Sequence, residues 1–546
     1  MAAKAIMVQG TASSVGKSLI AAALCRIFAR SGLLVMPFKA QNMSNNAAAL
    51  PDGSEIGRAQ YLQALAAGVE PRVEMNPILL KPESDSRSQV ILMGKPYETL
   101  GAVHYYERKA PLWKSVVGAC ATLSAEADLL VIEGAGSPAE INLASSDIVN
   151  MAVARHLGSP VILVADIDPG GVFAQVVGTL ALLSDEDRAL VRGIVINKFR
   201  GDISLLEPGL GMLERLTGLP VLGVVPMLTG LALPDEDGAS IRVRGAAGRA
   251  SGRDAGGIGG PSDDAAGAAT LLDIAVIKLP HIANFDDFDA LASEPSVALR
   301  FVEDAGDLGR PDVIILPGTK STMADLSWLK SRGFDDGIRW LARTGSAVVG
   351  ICGGFQMLGE SIEDPERVEG QGGSAKGLGL LRASTVFEAD KKVSPRRGHT
   401  AAGLGGRLAS LAGIAIEGYE IHSGETKVDG PAFALLEPDG REGSGEAANK
   451  ARVMPDSQTA ATADGAWSPD GAVWGTYLHD IFSSDEFRKA WLAGFGAAAR
   501  RESRKAELDA SIEALADAVE ASLDMDRLRE IIGISCIQPI GKGVRI

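Results

Sequence analysis

Cysteine is scarce in this chain. Four residues, Cys25, Cys120, Cys352 and Cys536, are spread over 546 positions with no C-x-x-C pair among them. That spacing argues against a disulfide framework and against a zinc site of the usual ligand pattern, and it fits a reducing, cytoplasmic setting. An excess of positive charge is lacking as well. With 53 Lys and Arg against 69 Asp and Glu, the formal charge is −16 and the pI is near 5.0, so nucleic acid, whose phosphates require a basic face, is not expected as a partner. No apolar run reaches the roughly 18 residues of a membrane span, and no cleavable signal pattern opens the chain. No internal repeat is evident. The hydrophobic fraction of 46% and charged fraction of 22% are those of an ordinary globular chain, and the length calls for two or three domains.

The most informative stretch is Ala347–Glu360, AVVGICGGFQMLGE. An apolar run ends at Gly350, Cys352 stands inside Gly350-Ile351-Cys352-Gly353-Gly354, and a helix-compatible FQMLGE follows. Strand, sharp turn and helix with a nucleophile at the turn make a nucleophile elbow, here with sulfur in place of hydroxyl. Glycines flank the cysteine because the turn leaves no room for neighbouring side chains. A helix start also offers unpaired N–H groups and a positive dipole end, which favour the thiolate.

A thiolate nucleophile needs a base and an oxyanion site. Of the six histidines, His479 follows the strand-like AVWGTYL and opens the loop HDIF, at a strand end, where catalytic groups of open parallel sheets gather. It is read as the base, with His422 in YEIHSGET as its competitor. Upstream, the buried-strand run of DVIILPGTKST breaks at Pro317-Gly318-Thr319. The backbone N–H of Gly318, beside that of Gly353, is the candidate oxyanion donor.

GICGGFQMLG together with YLHDIF resembles the class I glutamine amidotransferase domains, in the branch joined to cobalamin-pathway amide synthases. The resemblance implies that Cys352 attacks the side-chain amide of glutamine, forms a glutamyl thioester and releases ammonia. Most class I members carry Glu two residues after the His. Ile481 stands there in this chain, which leaves the group orienting His479 unassigned.

At the other end, the apolar strand Lys4 to Gln9 runs into GTASSVGKS and then the helical SLIAAALCRIFAR. This is a phosphate-cradling P-loop: N–H groups of Gly10, Thr11, Ser14, Val15 and Gly16 face phosphate oxygens, Lys17 reaches the outer phosphates, and Ser18 is a Mg²⁺ ligand. Five residues separate Gly10 from Gly16, one more than the common spacing, and that longer loop resembles dethiobiotin synthetase and its relatives. The strand ADLLVIEGAG ends on Glu133, the expected second Mg²⁺ contact. The strands SPVILVADIDPGG and LVRGIVINKFRGD continue the alternation and end on Asp166, Asp168 and Asn197. By resemblance to the same synthetases, Asn197 is a contact to the adenine of ATP.

Between these lies FKAQNMSNNAAAL, read as a polar loop after a strand. Lys39 is a candidate contact to the nucleotide, and Gln41, Asn42, Ser44 and Asn45 offer neutral donors and acceptors to the amide and carboxylate edges of a large polar substrate. Lys81 and Lys95, in the loop and strand that follow, suit phosphate or carboxylate.

The expected fold class is α/β: two doubly wound, mainly parallel-sheet domains, P-loop NTPase-like and then glutamine amidotransferase-like. Residues 1–240 form the ATP-binding amide synthase domain, and 241–270, dominated by Gly, Ala, Asp and Arg, a flexible linker. The amidotransferase domain spans 271–500 with a disordered insertion near 437–469, and 501–546 are C-terminal helices. Nearly the whole chain resembles the cobyric acid synthases, most specifically in FKAQNMSNNA, NPILLKP, EGAGSPAEINL, DIDPGG, NKFRGD and YEIHSGET. The QNMSNN loop separates that family from its sister, the cobyrinic acid a,c-diamide synthases. The resemblance implies an enzyme that uses ATP, Mg²⁺ and glutamine to amidate a corrin polycarboxylate. The other readings are the sister synthase, a P-loop ligase of the dethiobiotin type, and a regulatory P-loop ATPase with an inactive amidotransferase domain.

Overall fold

The computed structural model describes residues 3–84, 86–234, 271–369, 372–437 and 461–534. The expected linker, and 438–460 of the expected insertion, lie outside them. The chain divides into two compact units. One comprises Met1–Ala48, Glu55–Asp237 and Lys505–Ile546, and the other Ala49–Ser54 and Gly238–Arg504.

In the first unit six parallel strands stand in the order Val221–Pro226, Val191–Phe199, Val161–Asp166, Lys4–Gly10, Leu129–Glu133, Val35–Phe38. The apolar runs of the inner strands are buried along nearly their whole length, as expected of a parallel sheet covered on both faces. The P-loop therefore leaves the middle of the sheet, between strands ending at Glu133 and Asp166. Next to this layer is a four-stranded sheet in the order Gln41–Met43, Ile78–Ser84, Arg87–Leu92, Lys95–Gly101. The first two of these pair parallel and the others antiparallel.

Two C-terminal helices, Arg504–Ser522 and Met525–Ile532, complete this unit. Ile512, Leu515, Ala516 and Val519 lie at three- and four-residue steps and share one core with Ile20, Leu24 and Phe28 of the helix after the P-loop. Arg30 pairs at 2.6–3.0 Å with Glu513, Asp517 and Glu520. Because those carboxylates are exposed, the apolar seam contributes more to docking than the ion pairs do.

In the second unit the sheet order is Val297–Val302, Leu272–Ile277, Val313–Leu316, Ala347–Ile351, Val473–Thr476, Ala466–Trp467, parallel except for the last pair. A second, largely antiparallel sheet is built around the long hairpin of Ala383–Thr400 with Ala415–Val428. Residues 462–467, expected inside the disordered insertion, are strands instead, Thr462–Asp464 and Ala466–Trp467. Buried Asp464 accepts from the Tyr477 N–H at 3.1 Å and from the Thr476 hydroxyl, and Trp467 registers with Trp474. The Gly- and Ala-rich composition of the longer stretch masked these short strands. Among the described residues no helix is long and apolar enough to cross a membrane.

The C-terminal helices approach the edge strand at Gly223, which bridges Leu523, while Asp524 N–H donates to the Leu222 carbonyl at 2.7 Å. A Cβ on Gly223 would lie 2.0 Å from the Ser522 carbonyl oxygen, so backbone must move to admit it. Gly223→Ala is expected to destabilise the protein by about 1–3 kcal/mol, read as a lower urea midpoint. An unchanged midpoint would contradict this docking.

Candidate functional site

Three neighbouring strands of the second unit each end on a piece of chemistry. Val313–Leu316 leads into Pro317-Gly318-Thr319, Ala347–Ile351 into Cys352, and Val473–Thr476 into Tyr477-Leu478-His479. Cys352 sits at φ 51°, ψ −111°, a backbone that an L-residue holds only when its surroundings over-determine it. Close packing supplies the constraint: a Cβ on Gly354 would meet the Leu316 carbonyl oxygen at 2.0 Å. The Cys352 N–H is held by the Thr476 carbonyl at 2.8 Å, and Sγ lies 3.6 Å from the Ile421 carbonyl.

His479 is buried, and its Nδ1 lies 2.7 Å from Oδ2 of buried Asp287. The other Asp287 oxygen accepts the Asp480 N–H at 2.9 Å. Asn284 Nδ2 lies 3.5 Å from the same imidazole nitrogen. Tyr419 stacks on the ring with centroids 5.2 Å apart, and its backbone exchanges hydrogen bonds with that of His479. Burial pulls the His479 pKa down, but the charges of Asp287 and Cys352, and hydrogen bonds to both, more than offset it and raise the pKa to about 10. The imidazole therefore holds its proton at neutral pH, opposite a sulfur that favours that proton's charge.

Asp287, which the sequence reading left unnamed, is the group that orients His479. It sits in the turn Phe285–Phe288 after the strand Leu272–Ile277. The signal available in the sequence was that position beyond a strand end, where acidic and catalytic groups of open sheets collect.

His422, the competitor, stacks on Tyr477 with centroids 3.8 Å apart and has no partner for Nδ1. Burial, then the charge of Lys392, lowers its pKa to about 3, so it rests neutral. It lines a cavity of about 450 Å³ with Lys391, Lys392, Arg396, Asp464 and Tyr477 among others. Gln356, four residues past Cys352, donates to the Tyr477 hydroxyl at 3.0 Å and accepts from Thr322 Oγ1 at 3.2 Å. The two segments predicted to carry the oxyanion donors approach each other at the Thr319 end of the first. A Cβ on Gly353 would lie 3.3 Å from the Thr319 nitrogen, and one on Gly318 would lie 2.8 Å from His479 Cε1.

In the first unit the P-loop residues Gly10, Thr11, Ser14, Val15, Gly16, Lys17 and Ser18 lie together. Gly16 takes φ 94° at the N-cap of the helix Lys17–Arg30 and Ser14 takes φ 57°. Thr11 Oγ1 donates to Gln175 at 3.3 Å. Lys17 Nζ reaches the carbonyls of Ala12 and Gly136 at 3.0 and 3.1 Å. Asn197 donates to the Val15 carbonyl at 2.8 Å and its neighbour Lys198 to the Ser14 carbonyl at 2.6 Å. Both therefore clamp the loop, a part the sequence reading did not give to either.

Glu133 is the hub of this unit. Its Oε1 accepts from Ser18 Oγ and pairs with Lys39 Nζ, both at 2.8 Å, and its Oε2 accepts from Gln63 at 2.6 Å and Gln60 at 3.4 Å. Gln60 accepts in turn from Asn42 at 3.1 Å. Gln41 to Met43, expected as loop, is a strand, and Gln41 accepts from the Tyr105 hydroxyl. Ser44 Oγ accepts the Asn46 N–H at 3.0 Å. Asn45 stands between them, with Oδ1 buried and unbonded. Lys81 is buried against Glu55, and Asp166 and Asp168 pair with Lys198 and Arg200.

Comparison with known proteins agrees with this division. Residues 6–241 match the CobQ/CobB/MinD/ParA nucleotide binding domain family, and 273–487 the CobB/CobQ-like glutamine amidotransferase domain family. The chain is 49% identical to a cobyric acid synthase of Moorella thermoacetica over 97% of this chain and 98% of that one. It is 49% identical to the enzyme of that name from Sorangium cellulosum, over 98% and 99%. To that of Citrobacter koseri it is 48% identical, over 90% of each chain. On these similarities, which run the length of both units, the chain belongs to the cobyric acid synthase family of amide-synthesising enzymes.

Proposed function

We propose that this enzyme uses ATP and glutamine to amidate the b, d, e and g side-chain carboxylates of adenosylcobyrinic acid a,c-diamide. The observation that carries the reading is the convergence of Cys352, His479 and Asp287 in one unit of a chain whose other unit has its P-loop beside Glu133. Cys352 Sγ attacks the glutamine amide carbon. The N–H groups of Gly353 and Gly318 stabilise the oxyanion, and His479 hands its proton to the departing nitrogen. Water then hydrolyses the thioester to glutamate.

In the first unit an acceptor carboxylate oxygen attacks the γ-phosphorus of ATP and ADP leaves, because an acyl phosphate has the leaving group that a carboxylate lacks. Ammonia then displaces phosphate at the acyl carbon. Lys17 stabilises charge on the transferring phosphoryl group. Ser18 and Glu133 offer a hydroxyl and a carboxylate, hard oxygen donors that fit Mg²⁺, which when bound neutralises phosphate charge. Lys39 and Gln63 fix the Glu133 carboxylate, and Gln41, Asn42, Ser44 and Asn45 face the acceptor.

Cys352→Ala is expected to lower glutamine-dependent synthesis by about a thousandfold or more and to leave ammonia-dependent synthesis largely intact. Equal loss with both nitrogen donors would refute the division of labour. Lys17→Ala should reduce synthesis with either donor by about a thousandfold. Ammonia-dependent turnover at the wild-type rate in that variant would reject the P-loop assignment.

Asp287→Asn tests the acid role of His479 through pH. The working form of His479 is protonated, so activity is present below its pKa of about 10 and is lost as pH rises through it. Removing the Asp287 charge should move that alkaline limb to lower pH and cut glutamine hydrolysis by about 10²–10⁴-fold. An unmoved limb would contradict the pairing.

A further inference from the structure

We propose that Asp325 is a positioning residue for glutamine hydrolysis, acting as the peg that holds the oxyanion turn and the Asp287-bearing segment in one frame. The inference rests on the glutaminase reading above. Asp325 lies in the first turn of the helix Thr322–Ser331 and is fully buried. Its Oδ1 accepts from His281 Nδ1 at 2.7 Å, and its Oδ2 accepts from the His281 N–H at 3.2 Å and from the Thr319 hydroxyl. A carboxylate that is acceptor-only satisfies three donors here, drawn from two segments that are distant in sequence.

Those segments are the two that flank His479. Around the peg the backbone is laced. The Lys320 N–H donates to the His281 carbonyl at 3.0 Å, with Thr319 Oγ1 lying 3.1 Å from that same oxygen, and the Ala283 N–H donates to the Gly318 carbonyl at 2.9 Å. Ile282 and Thr319 form an antiparallel bridge. The 281 segment then continues through Asn284, in a left-handed conformation at φ 50°, to Asp287. The 317–320 turn presents Gly318 against the His479 ring and the Thr319 nitrogen toward Gly353. Oxyanion stabilisation needs donors fixed before charge develops, since a donor that must move to meet the oxyanion loses most of its value. Asp325 supplies that fixity without reaching the reacting atoms.

The test compares Asp325→Asn, Thr319→Val and Thr319→Ser with wild type in three measurements on the full-length enzyme. These are single-turnover acylation of Cys352 by glutamine, the glutamine KM, and the rate at which iodoacetamide alkylates Cys352. Alkylation needs the thiolate but no oxyanion site, so it separates positioning from general damage. Expected are acylation rates about 10–100-fold lower in Asp325→Asn and Thr319→Val, with KM within about twofold, alkylation unchanged, and recovery in Thr319→Ser, which keeps the hydroxyl. The proposal is overturned if alkylation falls in step with acylation, if KM alone changes, or if Thr319→Val acylates at the wild-type rate. Failure of the wild-type enzyme to acylate would instead overturn the glutaminase reading.

Discussion

A buried carboxylate and a buried imidazole 2.7 Å apart, Asp287 and His479, set the character of the second unit. Neither group is at ease alone in the interior, because burial raises the Asp287 pKa and lowers that of His479. Together they settle with the imidazole protonated, and the pairing fixes the ring's orientation: Nδ1–H faces Asp287, leaving Nε2–H as the donor to meet Cys352. Every neighbouring constraint serves the same geometry. Tyr419 stacks on the ring face, Gly318 leaves the space that a Cβ would fill, and Asp480 N–H holds the second oxygen of Asp287.

The first unit solves a parallel problem around Glu133. Its carboxylate is fully buried at the end of a central strand and gathers Ser18, Lys39, Gln60 and Gln63. A lone buried charge of this kind would be costly, and the ion pair with Lys39 together with three further donors makes it tolerable. The network ties the P-loop to the amide-rich Gln41–Met43 strand through Gln60 and Asn42. The groups proposed to hold phosphate and those proposed to hold the acceptor thus share one scaffold.

How legible these sites were depended on how local their signals are. The elbow at Cys352 and the P-loop at Lys17 are written in contiguous residues, because each needs one strand, one turn and one helix. His479 was legible because it closes a strand. Asp287 was not: it stands beside Asp286 and two residues before Asp289, 192 residues before its partner, and a position beyond a strand end does not say which of the three meets the histidine. Asn197 was legible as a strand-end residue, but its hydrogen bond to Val15 was not, because only the fold turns its amide onto that carbonyl. Strands 462–467 were hidden because composition averaged over a long segment says nothing of short paired stretches within it.

The central claim is that nitrogen released at Cys352 becomes a corrin amide at the expense of ATP. It is tested most directly by the mass of the corrin formed with amide-¹⁵N-glutamine, ATP and Mg²⁺, in the absence of free ammonia. The account predicts ¹⁵N at each of the b, d, e and g amides, with phosphate released in step with every amide. A corrin that stays unamidated while ATP and glutamine are consumed, or one whose new amides lack ¹⁵N, would contradict it.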